Sequence, residues 1–135
     1  GISEESDVIS AYALNIPEAP SLTGVFNNSS ITISWNIQQF TSSWVVLRSV
    51  NSTLNYEIVS TLNGSQVSYV DTDIIVGNIY RYAVLGINTL GIGFASIILI
   101  NYVLSNAFTQ SYSFIPSVNQ QKKLKNILNT NMFKY

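Results

Sequence analysis

Few groups in this 135-residue chain could do chemistry. The acids are Glu4, Glu5, Asp7, Glu18, Glu57, Asp71 and Asp73, and the bases are Arg48, Arg81, Lys122, Lys123, Lys125 and Lys134. There is no histidine and no cysteine. No serine therefore has an imidazole to take its proton, and no thiolate can act as nucleophile, bind metal or form a disulfide. The Asp71-x-Asp73 pair has a spacing that could hold a cation or a sugar nucleotide. A turn in which an aspartate side chain bonds the backbone needs the same residues, and that reading is preferred. Glu4, Glu5 and Asp7 read as a solvated terminus. Gly91-Ile92-Gly93 joins two strand-like segments instead of opening a helix, so it is not a phosphate cradle. The sequence therefore predicts no catalytic residue, no metal site and no cofactor, and it points away from an enzyme.

What remains is surface chemistry. Asn27, Asn28, Asn51 and Asn63 each begin an N-x-[ST] sequon in a predicted turn, so N-linked glycans are expected candidates if the chain is exported. A chain this rich in Asn, Ser and Thr carries several sequons by chance, so placement matters more than number. Trp44 and the tyrosines could stack on sugar rings, but most of them occupy core-like positions. Charged residues are only 10% of the chain, against about 25% in ordinary soluble domains. Such a surface suits a chain packed into an assembly or coated with sugar. All acids lie at or before Asp73, while four of the six bases lie in the last fourteen residues. An acidic body with a short basic tail argues against nucleic acid as partner. No apolar run is long enough to span a bilayer.

The elements that must position these groups are strands. Apolar and polar residues alternate in "ITISW" (31–35), with Ile31, Ile33 and Trp35 on one face. Further strand-like runs are "SLTGVF", "SWVVLRSV", "NYEIVSTL", "QVSYVDTD", "IYRYAVLGIN" and "GFASIILINYVL". Seven runs at roughly ten-residue spacing, divided by turn signals such as Asn63-Gly64, predict an all-β sandwich. Residues 1–15 form a strand-like extension through Val8, Tyr12 and Leu14. After Pro116 the pattern changes. Ser117 is a candidate N-cap, and Leu124, Ile127, Leu128 and Met132 fall on one face of a short amphipathic helix.

In order along the chain, these residues resemble a fibronectin type III domain of the kind common in microbial extracellular proteins. The resemblance runs over about residues 16–100 and rests on "IPEAPSLTGV", "ITISW", the Trp44–Ser49 segment, "SYVDTDI" and the Gly77–Gly93 pattern G-x-x-Y-x-Y-x-V-x-G-x-N-x-x-G-x-G. It implies a seven-stranded immunoglobulin-like sandwich over 16–104, with extensions at 1–15 and 105–135. It implies a structural role for Trp35 and a tyrosine corner at Tyr80, with Ile74 packed beside it. Val76 stands where the family usually has proline. The integrin-binding Arg-Gly-Asp tripeptide is absent, so that activity does not carry over.

One feature is unusual for a half-exposed sheet. Val45 and Leu47 point opposite to Trp44 and Val46, and Ala83, Leu85 and Ile87 point opposite to Tyr80, Tyr82 and Val84. Both faces of these strands are apolar. The residues Val45, Leu47, Ala83, Leu85 and Ile87 are therefore expected to form an interaction patch. Either the chain's own extensions or another protein subunit, including a second copy, would cover it. Together these readings give a non-catalytic structural or adhesive module of an extracellular microbial surface assembly. The composition is reminiscent of surface proteins of thermophilic archaea. The alternative is a polysaccharide-binding or spacer domain of a secreted enzyme.

Overall fold

The computed structural model describes residues 16–103 and 111–132. The N-terminal strand expected around Val8, Tyr12 and Leu14 lies outside the described residues. Among the described residues, nine strands and one helix follow in order: β1 (Thr23–Phe26), β2 (Ile31–Ser34), β3 (Ser43–Val50), β4 (Glu57–Asn63), β5 (Ser68–Asp71), β6 (Ile79–Asn88), β7 (Gly91–Ile92), β8 (Ser96–Asn101), β9 (Ser111–Phe114) and α1 (Val118–Met132). They form a β-sandwich. One sheet has the order β1-β2-β5 and the other β4-β3-β6-β8-β9, with β7 pairing back on β6. Every pairing is antiparallel.

The expected strands are present, with two differences. The run "GFASIILINYVL" is broken. Gly91 and Ile92 pair with the end of β6, and β8 starts only at Ser96. The break sits at Gly93, whose N–H bonds the Gly86 carbonyl at 2.7 Å. A ninth strand, β9, adds to β8 with Ile97 opposite Phe114. Its sequence, Ser-Tyr-Ser-Phe, is too short for alternation to reveal it.

The strand parity read from the sequence sorts the core into two layers. Trp44, Val46, Tyr80, Tyr82, Val84, Ile98 and Ile100 face Ile31, Ile33 and Trp35 between the sheets. Tyr80 forms the expected corner: the Ile75 N–H donates to its hydroxyl oxygen at 2.7 Å. Trp35 packs edge-on to Trp44 with ring centroids 5.7 Å apart.

The second layer lies on the outer side of the larger sheet. Val45, Leu47, Ala83, Leu85 and Ile97 pack there against Leu124 and Leu128 of α1. Val45, Leu47, Ala83 and Leu85 expose no surface, and Ile87 is half-buried beside them. The sequence leaves two covers open for this face, the chain's own extensions or another subunit; the helix after Pro116 lies on it, so the chain supplies the cover itself. The reason lies in the tail sequence. The Ser117 hydroxyl accepts the Gln120 N–H at 3.2 Å, which caps the helix. From there Gln121, Leu124 and Leu128 recur at helical spacing along one stripe, and all three are buried. Gln121 is a polar member of this stripe that the apolar pattern misses. Its amide accepts the Ala95 N–H at 2.8 Å and donates to the Ala95 carbonyl at 2.9 Å. A 15-residue helix is marginal alone in water. Burying each leucine, at about 1.5–3 kcal/mol, supplies what propensity does not.

One buried polar cluster ties the two sheets. Asp71, at the end of β5, is almost wholly buried. Its Oδ2 accepts from Arg48 of β3 at 2.8 Å and from the Tyr82 hydroxyl of β6 at 2.6 Å. Its Oδ1 accepts the Asp73 N–H at 3.0 Å, which is the turn expected for Asp71-x-Asp73. Burial, reinforced by the bond to Asp71, pushes the Tyr82 hydroxyl well above its ordinary range. Burial also pushes Tyr56 up to about 12, against a small opposing pull from Arg81.

Two outcomes follow for stability. Leu124→Ala is expected to cost about 2–5 kcal/mol in urea unfolding; a loss below about 1 kcal/mol would show that the helix does not seal the sheet. Tyr56 and Tyr82 hold their protons more tightly folded than unfolded. Their contribution is thus complete below the unfolded value of about 10 and is lost as pH rises above it. Unfolding free energy should be level between pH 7 and 9. Above about pH 10 it should fall by up to about 1.4 kcal/mol per pH unit for each tyrosine. Tyr56→Phe should make that fall shallower.

Candidate interaction surface at the loop end

With the sheet face sealed, exposed apolar surface gathers elsewhere. Four segments meet at one end of the sandwich: Ile16–Pro20, the β2–β3 loop, the β4–β5 turn and the β6–β8 connection. Backbone bonds hold them together. The Ser42 N–H donates to the Ile87 carbonyl at 2.8 Å, Gly64 to Ser42 at 2.9 Å, and Phe94 to Pro17 at 3.1 Å. Gly93 permits the last contact. A Cβ there would lie 2.4 Å from the Pro17 carbonyl oxygen, so no larger residue fits without moving that segment.

The gathered loops leave a cleft of about 490 Å³. Its apolar walls are Ile16, Pro17, Ile37, Phe40 and Phe94, and its polar groups are Glu18, Gln38 and Gln39. A second hollow, of about 300 Å³, lies on the other side of Phe40 against Thr41, Asn88 and Leu90. Phe40 and Phe94 are 51% and 46% exposed, and Ile37 and Leu90 are exposed beside them. Phe40 has φ 64°, in the left-handed region that disfavours a bulky residue. That backbone places a large aromatic ring between two hollows. The Lys125 ammonium of α1 lies 5.0 Å from the centroid of the Phe94 ring, a cation–π contact that fixes one wall. The one titratable side chain in the lining is Glu18. The cleft can stack, donate and accept hydrogen bonds, but its lining offers no paired nucleophile and base.

The residues singled out from sequence are placed as follows. Val45, Leu47, Ala83, Leu85 and Ile87 are under α1. Trp44 is fully buried, with its indole N–H on the Gly64 carbonyl, so it offers no sugar platform. Asn27 and Asn28 lie in the β1–β2 turn, where the Asn27 side-chain oxygen accepts the Ser29 and Ser30 N–H groups at 2.9 Å. Asn51 has φ 54°. Both ends of its amide are used: it donates to Asn78 at 3.0 Å and accepts from the Ile79 N–H at 2.8 Å. Asn63 ends β4, exposed, and its oxygen accepts from Ser65. The four asparagines are not brought together, and none lines the cleft. Sequence reasoning missed Ile37, Phe40 and Phe94. The available signal was a pair of large apolar residues, Ile37 and Phe40, inside a stretch otherwise built of Asn, Gln, Thr and Ser.

No family model matches the chain, and no curated protein matches it. Solved structures do. A mutant of FN3tt aligns over 75% of this chain and 97% of its own, at TM-score 0.52 and 13% identity. The fibronectin type III (FN3) domain of human collagen XX aligns over 62% and 90%, at TM-score 0.51 and 18% identity. The chain has a fibronectin type III fold. Pectate lyase Pel3 from Pectobacterium carotovorum contains a similar unit, at TM-score 0.50 and 19% identity; it spans 57% of this chain and 25% of the lyase. At these identities the likeness concerns the fold alone. Within that fold, the cleft lies between the β2–β3 and β6–β8 connections. Among the described residues there is no group of three or more His, Cys, Asp or Glu that could hold a metal, and no helix long and apolar enough to cross a membrane.

Phe40→Asn tests whether the backbone here is strained. Asparagine tolerates φ near 60° far better than phenylalanine. Relief of strain should offset the lost ring contacts, leaving stability within about 0.5 kcal/mol of the parent by urea unfolding. A loss above about 2 kcal/mol would mean the ring is a packing residue.

Proposed function

We propose that this chain is a non-catalytic structural or adhesive module of an extracellular microbial surface assembly or multidomain secreted protein, and that the loop end is its contact surface. The observation that carries this reading is the concentration of Ile37, Phe40 and Phe94, all exposed, around one cleft, with exposed Leu90 in the adjoining hollow, while the broad apolar sheet face is closed by α1. Exposed apolar groups gathered at one end of a domain mark a place of contact. The low-charge surface supports an extracellular, crowded setting. In this reading the partners are other protein subunits or domains, a second copy among them, and the glycans of the surface itself. N-linked sugars fit best at Asn28 and Asn63, which are exposed. At Asn51 the amide nitrogen already donates to Asn78, and a glycan on the same nitrogen would crowd that bond.

A second reading is a polysaccharide-binding or spacer domain of a secreted enzyme. It draws support from the similar unit within pectate lyase Pel3.

Proteolytic shaving of intact host cells separates the extracellular reading from others. Peptides of this chain should appear in the shaved fraction, with glycopeptide masses at Asn28 or Asn63 and none at Asn51. Recovery of the peptides only after lysis would overturn an extracellular location.

A further inference from the structure

We infer that the cleft between Pro17, Phe40 and Phe94 seats a neutral saccharide chain. The inference rests on the loop end being the contact surface and names what it contacts. Three observations select this ligand class. First, a cleft of about 490 Å³ is in the range of small-ligand sites. Second, its lining combines aromatic and amide groups. The rings of Phe40 and Phe94 suit the C–H face of a sugar ring, and Gln38, Gln39 and Glu18 can donate to and accept from its hydroxyls. Third, the only formal charge in the lining is the negative one of Glu18, which disfavours uronate, phosphate and sulfate groups. Lys125 keeps its positive charge, with its ammonium 5.0 Å from the centroid of the Phe94 ring, but it is not part of the lining.

An extended peptide fits less well. A peptide added to a strand edge needs open backbone donors. At this wall the Gly93 and Phe94 N–H groups are already bonded to Gly86 and Pro17. Hydroxyl-rich ligands instead use side-chain amides, which the rim supplies. The left-handed backbone at Phe40 is consistent with a ring held out for contact, since such strain persists where the surroundings impose it.

The test is affinity electrophoresis of the full chain through gels containing glucomannan, xyloglucan or laminarin, with polygalacturonate as the anionic control. Retardation is expected in at least one neutral gel and not in polygalacturonate. Phe40→Ala and the double change Gln38→Ala with Gln39→Ala should each weaken binding about tenfold or more, and Phe40→Tyr should restore it. Thermal unfolding midpoints, measured alongside, separate loss of the site from loss of the fold. Retardation by polygalacturonate alone, or by no neutral polysaccharide, overturns the proposal. So does neutral binding that survives Phe40→Ala. If the gels are silent while Phe40→Ala abolishes cross-linking of the chain to itself or to a surface protein, the saccharide falls and the contact surface stands.

Discussion

The structure depends on strands that are apolar on both sides. Residues 44–47 of β3 and 82–85 of β6 expose no surface at all. Antiparallel sheets commonly have one wet face, but this one cannot. The smaller sheet covers one side, so the chain must supply a third layer for the other. The helix α1 is that layer, and its composition follows from the task. It presents leucines toward the sheet, and Lys122 and Lys123 toward solvent. With the helix on the larger sheet, the described part of this chain is a three-layer unit.

A sealed face changes where function can reside. An apolar patch of Val45, Leu47, Ala83 and Leu85 would have been a strong reason for another molecule to bind there. Once α1 fills it, the large apolar side chains left exposed lie elsewhere, among them those at the loop end, where the loops hold their side chains by other means. At the loop end those means are backbone hydrogen bonds between segments distant in sequence and one close approach at Gly93. This gives the cleft a rigid frame without a buried core of its own.

How much was legible in the sequence depended on the range of the signal. Alternation in "ITISW" and "SWVVLRSV" is local, so the strands and the assignment of residues to faces could be read directly. The Tyr80 corner and the cap at Ser117 also rest on short motifs. The identity of the cover could not be read, because Leu124 and Leu128 carry no mark of which surface they meet. Gln121 was illegible for a related reason: its buried amide is matched by Ala95, 26 residues away. The cleft was hidden because it is made by convergence. Phe40 and Phe94 are ordinary loop residues until Pro17 is drawn against Gly93.

The bond pair between Gln121 and Ala95 has one more consequence. Ala95 directly follows Phe94, and Lys125, one helical turn beyond Gln121, sits on the Phe94 ring. The helix that keeps the sheet dry therefore also buttresses the Phe94 wall of the cleft. Seal and socket are mechanically one part. Load on the tail and the placement of Phe94 are therefore joined through Gln121 and Lys125.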